Sequence, residues 1–582
     1  MIVMPWPIPL KLHATFPALL TEGNISSIPL SSTRFLPIAI IAWPDAVAVS
    51  RLPQTASVYL ICSGLLAHKS STPWTAPSPA RLIPTANSGT HGPPRGERLP
   101  EIQIQPPVAT SAQAPLCVDL DGTLVKSDTL IDSLLVLLRT RPERAFALPL
   151  RVLRGKAAFK AYVSETVSLD VAHLPYNKPL LKFLHQERVQ GRQIYLATGA
   201  DLRIARRVAD HLGIFAGVLG SDGATNLTGK KKLDRLRAQL GAGGFDYVGN
   251  DTPDLPLLAE ANQALIANPT AGLSMGLKSR RIKPAHVFLE RSHPLTSLLK
   301  ALRPHQWAKN LLIFLPLLLS HDITARGLAM ALLAFCSFSL AASAAYIVND
   351  LLDIEADRRH PRKRLRPFAS GDLSAFTGLC IVVACQGLAL SGARFLPAAF
   401  LGWLLFYLAT TLAYSSYLKR LALVDVLVLS GMYTLRLLAG GAATHTPISH
   451  WLAGLAIFLF LSLAFVKRFA ELENLRASGA PPKNGRGYVV ADIQQLRSFG
   501  TASAYAAVLV FALYISGQDV IKLYRNPGRL WLITPLMILW LSRVWLLASR
   551  GELDEDPVIF AITDKMSLLI GAGVALVAWL AL

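Results

Sequence analysis

Apolar residues are unevenly distributed along this 582-residue chain. From about residue 310 onward they gather into runs of roughly 20, the length a helix needs to cross a bilayer. Nine such runs are read, with cores at 310–321, 326–348, 375–392, 396–416, 422–441, 449–467, 500–517, 529–547 and 565–582. The first is short unless it begins near Trp307. Between 112 and 285 the pattern differs: short apolar runs of strand length alternate with amphipathic helical stretches. A strand at 116–120 closes on Asp119, Asp121 and Gly122. A second, at 193–197, ends in Thr198-Gly199, and a third, at 246–248, runs into Gly249-Asn250-Asp251-Thr252-Pro253-Asp254. Polar groups at the carboxyl ends of strands that alternate with helices predict a doubly wound parallel sheet with its site there. Amphipathic helical patterning follows the first strand, over about 128–188.

Residues 1–111 are rich in Pro, Ser, Thr and Ala and lack sustained periodicity. Their apolar runs at 37–43 and 58–66 are too brief to span, and the start lacks the charged and apolar regions of a secretory signal. They read as a disordered extension, or as a start placed upstream of the true one. The expected fold is therefore multidomain: an α/β domain at 112–285, a linker at 286–300, and an all-α polytopic membrane bundle of about nine helices at 301–582.

A formal charge of +21 raises nucleic acid as a partner. No nucleic-acid motif accompanies it, and many Lys and Arg sit in short loops between apolar runs. Loops at 358–366, 418–420, 467–476 and 543–556 fall on one side, and the first three carry basic residues. Excess Lys and Arg mark the cytoplasmic side. The expected location is the bacterial cytoplasmic (inner) membrane, with the α/β domain on the cytoplasmic side, facing the acidic end of the helix at 326–348. Five cysteines without metal or redox spacing read as free thiols in a reducing compartment. No protein partner is expected.

The most informative stretch is 349–367, N-D-L-L-D-I-E-A-D-R-R-H-P-R-K-R-L-R-P. On one helix, Asp350, Asp353 and Asp357 would fall within about 60° of one face. Three carboxylates at a membrane helix end repel unless cations sit between them, and hard oxygen ligands suit Mg²⁺ with substrate phosphates completing its shell. Lys363, Arg364 and Arg366 follow and supply charge for remaining phosphate oxygens. With Asn349, and with Arg303-Pro304-x-Gln306-Trp307-x-Lys309-Asn310 upstream, this motif closely resembles the UbiA superfamily of intramembrane prenyltransferases over 298–582. The resemblance implies that the three acids bind a diphosphate through Mg²⁺. It draws in a second region, Tyr414, Lys419, Asp425, Tyr433 and Arg436, in which Asp425 and Arg436 share a helical face and are expected to point into one cavity. Asp556 and Asp564 are further rim candidates. Aromatic prenyltransferases usually carry a second D-x-x-x-D, whereas Leu429 stands in place of its second acid here. That departure looks like the decaprenyl-phosphate phosphoribosyltransferase branch, which transfers 5-phosphoribose from phosphoribosyl diphosphate (PRPP) to a polyprenyl phosphate.

The earlier motif, D-L-D-G-T at 119–123, resembles the haloacid-dehalogenase-like (HAD) phosphatases over 112–285. The resemblance implies that Asp119 is the nucleophile, Asp121 the general acid and later base, Thr198 a phosphate-oxygen ligand, and the helical segment of about 126–188 a cap that excludes bulk water. It calls for a lysine after Thr228-Gly229, where Lys230, Lys231 and Lys232 crowd together; Lys232 is taken. Asn250 replaces the first acid of the last motif, leaving Asp254 and Asp251 to serve Mg²⁺ beside Asp119 and Asp121. The combined expectation is a bifunctional enzyme that makes a polyprenyl-phosphoryl 5-phosphoribose and then removes the 5-phosphate. Four other readings stay open. They are an aromatic prenyltransferase using polyprenyl diphosphate and an acceptor such as 4-hydroxybenzoate, a phosphatase decayed to a scaffold, a transporter, and a phosphatase anchored by an inert membrane half.

Overall fold

The computed structural model describes residues 113–582 apart from 242–243, 478–485 and 554–555. The expectation for 1–111 lies outside the described residues.

Six short strands form one parallel sheet in the order β3-β2-β1-β4-β5-β6. They are β1 (Leu116–Val118), β2 (Ile194–Asp201), β3 (Gly217–Ser221), β4 (Asp246–Gly249), β5 (Ala264–Ala267) and β6 (His286–Phe288). Parallel strands are covered by helices on both faces, which is why β1 and β4 are buried throughout. The chain lays β2 and β3 on one side of β1, then crosses to β4 on the other. The carboxyl ends of β1 and β4 therefore meet at the point where strand order reverses, where doubly wound sheets open a crevice. The sixth strand lies beyond residue 285, so the sheet runs into the stretch expected to be linker.

Four helices leave the sheet after β1: α1 (Thr129–Thr140), α2 (Pro142–Ala145), α3 (Leu148–Leu153) and α4 (Lys156–Thr166). Asp128 starts α1 by accepting hydrogen bonds from the Leu130 and Ile131 amides. Val136 and Leu137 bury its apolar side.

The remainder is helical. Among the described residues seven helices are long and apolar enough to cross a membrane: Ala325–Leu352, Ala375–Ala393, Ala398–Ser416, Val424–Thr444, His450–Ala477, Val490–Ile515 and Pro527–Ser549. An eighth span exists only if Pro557–Thr563 and Lys565–Ala581, bent by 78°, count as one. This corrects the expected nine. The first run, around 310–321, is a 3₁₀ segment (Pro304–Phe314) followed by five α-helical residues, with Pro304 and Pro316 at the starts. Proline removes an amide donor and favours a helix's first turn over its interior. Small residues let these elements approach closely. A Cβ on Gly440 would lie 2.2 Å from the Ile313 carbonyl oxygen, so only glycine admits the 3₁₀ segment against Val424–Thr444.

Candidate active site

Asp119 follows β1 directly, and its amide bonds the Val248 carbonyl of β4 at 3.0 Å. Lys232, buried on the helix Lys230–Leu240, donates to Asp119 Oδ1 (2.9 Å), Asp254 Oδ1 (3.2 Å) and the Tyr247 hydroxyl (2.9 Å). Lys230 and Lys231 are exposed. Asp254 is held from below as well: its Oδ2 accepts the Asn250 amide at 3.1 Å, and Tyr247 donates to its Oδ1 at 2.8 Å. Asn250 Oδ1 accepts from Thr123 Oγ1 at 3.2 Å. Gly122 (φ +74°) lies flat beneath it, since a Cβ there would stand 2.1 Å from Asn250 Nδ2. Thr198 is wholly buried, its Oγ1 accepting from the Ala200 amide. Asp251 turns away and accepts from Thr270. Asp121 accepts the Thr129 amide, the first of α1, at 2.8 Å.

Burial pushes the Asp119 carboxyl up to about 6, against the pull of Lys232 and with a further push from Asp254. Asp121 rises to about 8, through burial first and then repulsion from Asp128. Burial opposes the Lys232 charge, yet Asp119 and Asp254 overcome it and hold the ammonium above its ordinary range. Near neutral pH the pocket thus pairs a largely ionised carboxylate, Asp119, with a carboxylic acid, Asp121, that is still mostly protonated. Lys160 of α4 reaches in from the cap, donating to Gly199 O (2.6 Å) and Asn226 Oδ1 (2.8 Å).

In the membrane half the expected single helix face is interrupted. Ala325–Leu352 ends at Asp353, and a separate turn, Ile354–Arg359, carries Asp357. Asp350 and Asp357 nevertheless meet through Arg366, whose Nη1 lies 3.0 Å from Asp350 Oδ1 and 2.6 Å from Asp357 Oδ2. Arg303 forks onto Asp350 at 2.7 and 2.5 Å. Asp353 turns to Arg139 of α1 (2.9 Å) and to Lys419 (3.4 Å). Asn349 is half-buried, and Lys363 and Arg364 are exposed on the next turn.

Asp425 and Arg436 share a helix and take different partners among the described residues. Asp425, fully buried, accepts from Tyr414 (2.7 Å) and Arg468 (2.5 Å). Arg436 donates to Asn310 (2.8 Å) and lies over the rings of Phe338, Tyr407 and Tyr433 at 5.0–5.5 Å. Beside it Lys309 and Lys467 converge on Asp556 at 2.6 and 2.8 Å, with the Tyr433 hydroxyl at 3.4 Å. Although burial opposes its charge, the two ammonium groups hold Asp556 well below the usual carboxylate range.

The α/β domain docks on the very segment that carries the acidic motif. Arg358 is buried and donates to Asp132 of α1 (2.8 Å), Ser127 Oγ (3.1 Å) and Ala369 O (3.2 Å). Arg139, at the other end of α1, also donates to Leu352 O at 3.3 Å. Arg359–Asp170 (2.7 Å) and Ser292–Asp372 (2.9 Å) extend the contact. One helix therefore touches Asp121 at its start and Asp353 at its end.

Comparison with known proteins bears on the membrane half most directly. The UbiA prenyltransferase family profile matches residues 311–569. Over 235 residues the chain is 36% identical to a decaprenyl-phosphate phosphoribosyltransferase of Mycobacterium tuberculosis, covering 39% of this chain and 76% of that protein. The chain belongs to the UbiA prenyltransferase family. As a UbiA member it is a multi-pass membrane transferase. A Sinorhizobium fredii protein, "Uncharacterized protein y4nM", is 37% identical over 466 residues, 79% of this chain and 90% of its own length. Among solved structures, a UbiA homolog from Archaeoglobus fulgidus bound to DMAPP and Mg²⁺ is 20% identical, covers 48% of this chain and 98% of its own, and gives a TM-score of 0.39.

The acidic motif is surrounded by positive charge from Arg303, Arg366, Arg139 and Lys419. The structure brings together Asp119, Lys232, Asn250 and Asp254 in one pocket, and Asp350, Asp357 and Arg366 in another. Asp251, Lys363 and Arg364 stand outside them. Tyr247, Lys160, Arg139, Arg358, Lys467 and Arg468 were not singled out from sequence. Lys467-Arg468 closes an apolar run and reads as a loop, yet the helix His450–Ala477 continues through it and carries both cations inward to Asp556 and Asp425.

No three His, Cys, Asp or Glu side chains converge as a ready metal cage among the described residues. The donor set still suits a hard cation. Arg366 Nη1 sits between Asp350 and Asp357, within 3.0 Å of each, and marks where positive charge is accepted.

Proposed function

We propose that this UbiA-family enzyme transfers 5-phosphoribose from PRPP to a polyprenyl phosphate, and that its α/β domain, a HAD-type phosphatase, then removes the 5-phosphate. The first step joins a lipid phosphate oxygen to ribose C1 while the bond from C1 to the diphosphate oxygen breaks. Arg303, Arg366 and Lys419 surround the acids and would bind the departing diphosphate's outer oxygens. Asp350 and Asp357, with Asp353 after its release from Arg139, would hold Mg²⁺, which when bound neutralises charge on that leaving group. Arg436, Lys309 and Lys467 offer a second anion site among aromatic rings. The relative named a decaprenyl-phosphate phosphoribosyltransferase supports PRPP as donor, and Asp425 sealed by Arg468 speaks against a second metal-binding acid pair of the aromatic prenyltransferases.

In the second step Asp119 attacks the 5-phosphate, and Asp121 gives its proton to the ribose 5-oxygen as the P–O bond breaks. Water then opens the aspartyl phosphate, with Asp121 taking the proton back. The observation that carries this reading is Lys232 bridging Asp119 and Asp254 at the strand-reversal point. Mg²⁺ at this pocket would be held by Asp119 and Asp254, with Asn250 beside them. Purified protein given polyprenyl phosphate and PRPP should yield polyprenyl-phosphoryl ribose. Asp119→Asn should stop at the 5-phosphorylated lipid. A wild-type product that keeps its 5-phosphate, unchanged in Asp119→Asn, would refute the second step.

A further inference from the structure

The cap carries a surface that the chain itself leaves uncovered. The helices α2 and α3 bury no residue. Phe146, Leu150, Val152 and Leu153 are 89%, 56%, 56% and 84% exposed within eight consecutive positions. Contiguous exposed apolar side chains mark a binding surface. Around them stand Arg141, Arg144, Arg151, Arg154 and Lys156, against the single acid Glu143. Basic residues flanking exposed apolar ones suit an anionic lipid surface, where the apolar groups enter the headgroup layer and the cations meet phosphate.

Position selects that partner. Arg139 bonds the carbonyl of Leu352, the last residue of the membrane helix Ala325–Leu352, and pairs with Asp353 beside it. The chain is thus fastened at the mouth of the membrane half, and Arg141 follows within about 7 Å along the backbone. On its far side the patch leads straight into α4, which carries Lys160 to the pocket edge at Gly199.

We infer that the segment 141–156 lies in the cytoplasmic-side headgroup layer of the same membrane, with Phe146, Leu150, Val152 and Leu153 inserted, and holds the carboxylate pocket over substrates whose phosphate is carried on a lipid. The part concerning substrate rests on the phosphatase reading above; the insertion does not.

The test places p-benzoylphenylalanine at Phe146 of the full chain, reconstituted in bilayers of phosphatidylcholine with phosphatidylglycerol and irradiated. A phospholipid adduct is expected there, and none with the probe at Val189, which is exposed at the opposite, amino-terminal edge of the sheet. Pure phosphatidylcholine should lower the yield. Equal yields at the two positions, or adducts at Phe146 only to a second copy of the chain, overturn the insertion. The substrate part is read with Phe146→Ser/Leu153→Ser. Hydrolysis of the soluble probe p-nitrophenyl phosphate should be unchanged, while KM for the lipid-linked phosphate rises about tenfold or more as the lost apolar contacts weaken membrane engagement. An unchanged KM overturns that part. Lipid adducts without hydrolysis of either phosphate leave the insertion standing and remove the phosphatase reading.

Discussion

Lys232 is the third lysine in a row, and helical register alone separates it from Lys230 and Lys231. Lys232, Leu233 and Leu236 form the buried edge of their helix, and the two preceding lysines face solvent. That register was legible in the sequence, because leucines one and four positions on mark the sheet-facing side. The raised carboxyls make a prediction for pH. Asp119 must be ionised to attack, so hydrolysis of p-nitrophenyl phosphate should rise as pH passes about 6. Asp121 must be protonated to donate, so the rate should fall as pH passes about 8, giving a bell between the two. Asp128→Asn removes a neighbouring charge that raises Asp121 and keeps the cap of α1, so the falling limb should move to lower pH. An immobile limb would mean that another group controls it. At the acidic motif, spacing announced three acids but not their division. The helix ends at Asp353, where Arg139 and Lys419, distant in sequence, pull one acid aside. Such long-range pairing leaves no local signal.

At the scale of elements, alternating strand and helix patterns gave three of the six strands directly. The others are three to five residues long, and Gly217–Ser221 also contains glycine; short apolar runs do not distinguish strand from helix. Hydropathy over-counted the spans because a window measures apolar content and not helix continuity, which Pro304 and Pro316 interrupt. The helix α1 read as an ordinary amphipathic cap helix, yet Asp132 on its buried side meets Arg358 from the membrane half. Removing one partner leaves an uncompensated buried charge. Arg358→Ala or Asp132→Ala should each destabilise the docked protein by roughly 3–5 kcal/mol, and the double variant should recover much of that loss. Thermal unfolding of the three variants in detergent checks this. A double variant as weak as the sum of the singles would show that the two charges act independently.

For the whole molecule, the docking puts the Asp119–Lys232–Asp254 pocket on the domain that touches the acidic motif, so under the proposed function the second reaction would meet its lipid-linked phosphate at high local concentration. Loop charge announced that the α/β domain faces the acidic helix end, but no motif announced the pairs that fasten it, since Arg358–Asp132, Arg139–Asp353 and Arg359–Asp170 join residues about two hundred positions apart. Chelation separates this account from a transporter. EDTA should arrest lipid transfer and added Mg²⁺ restore it, whereas Asp350→Asn should resist rescue. Transfer that continues undiminished in EDTA would leave the acidic motif without its assigned role. The most direct measurement is the mass of the lipid product from two incubations of the purified protein, one with polyprenyl phosphate and PRPP, the other with polyprenyl diphosphate and 4-hydroxybenzoate. The account predicts polyprenyl-phosphoryl ribose from the first and no product from the second. A prenylated benzoate from the second, with the first unreacted, would contradict it.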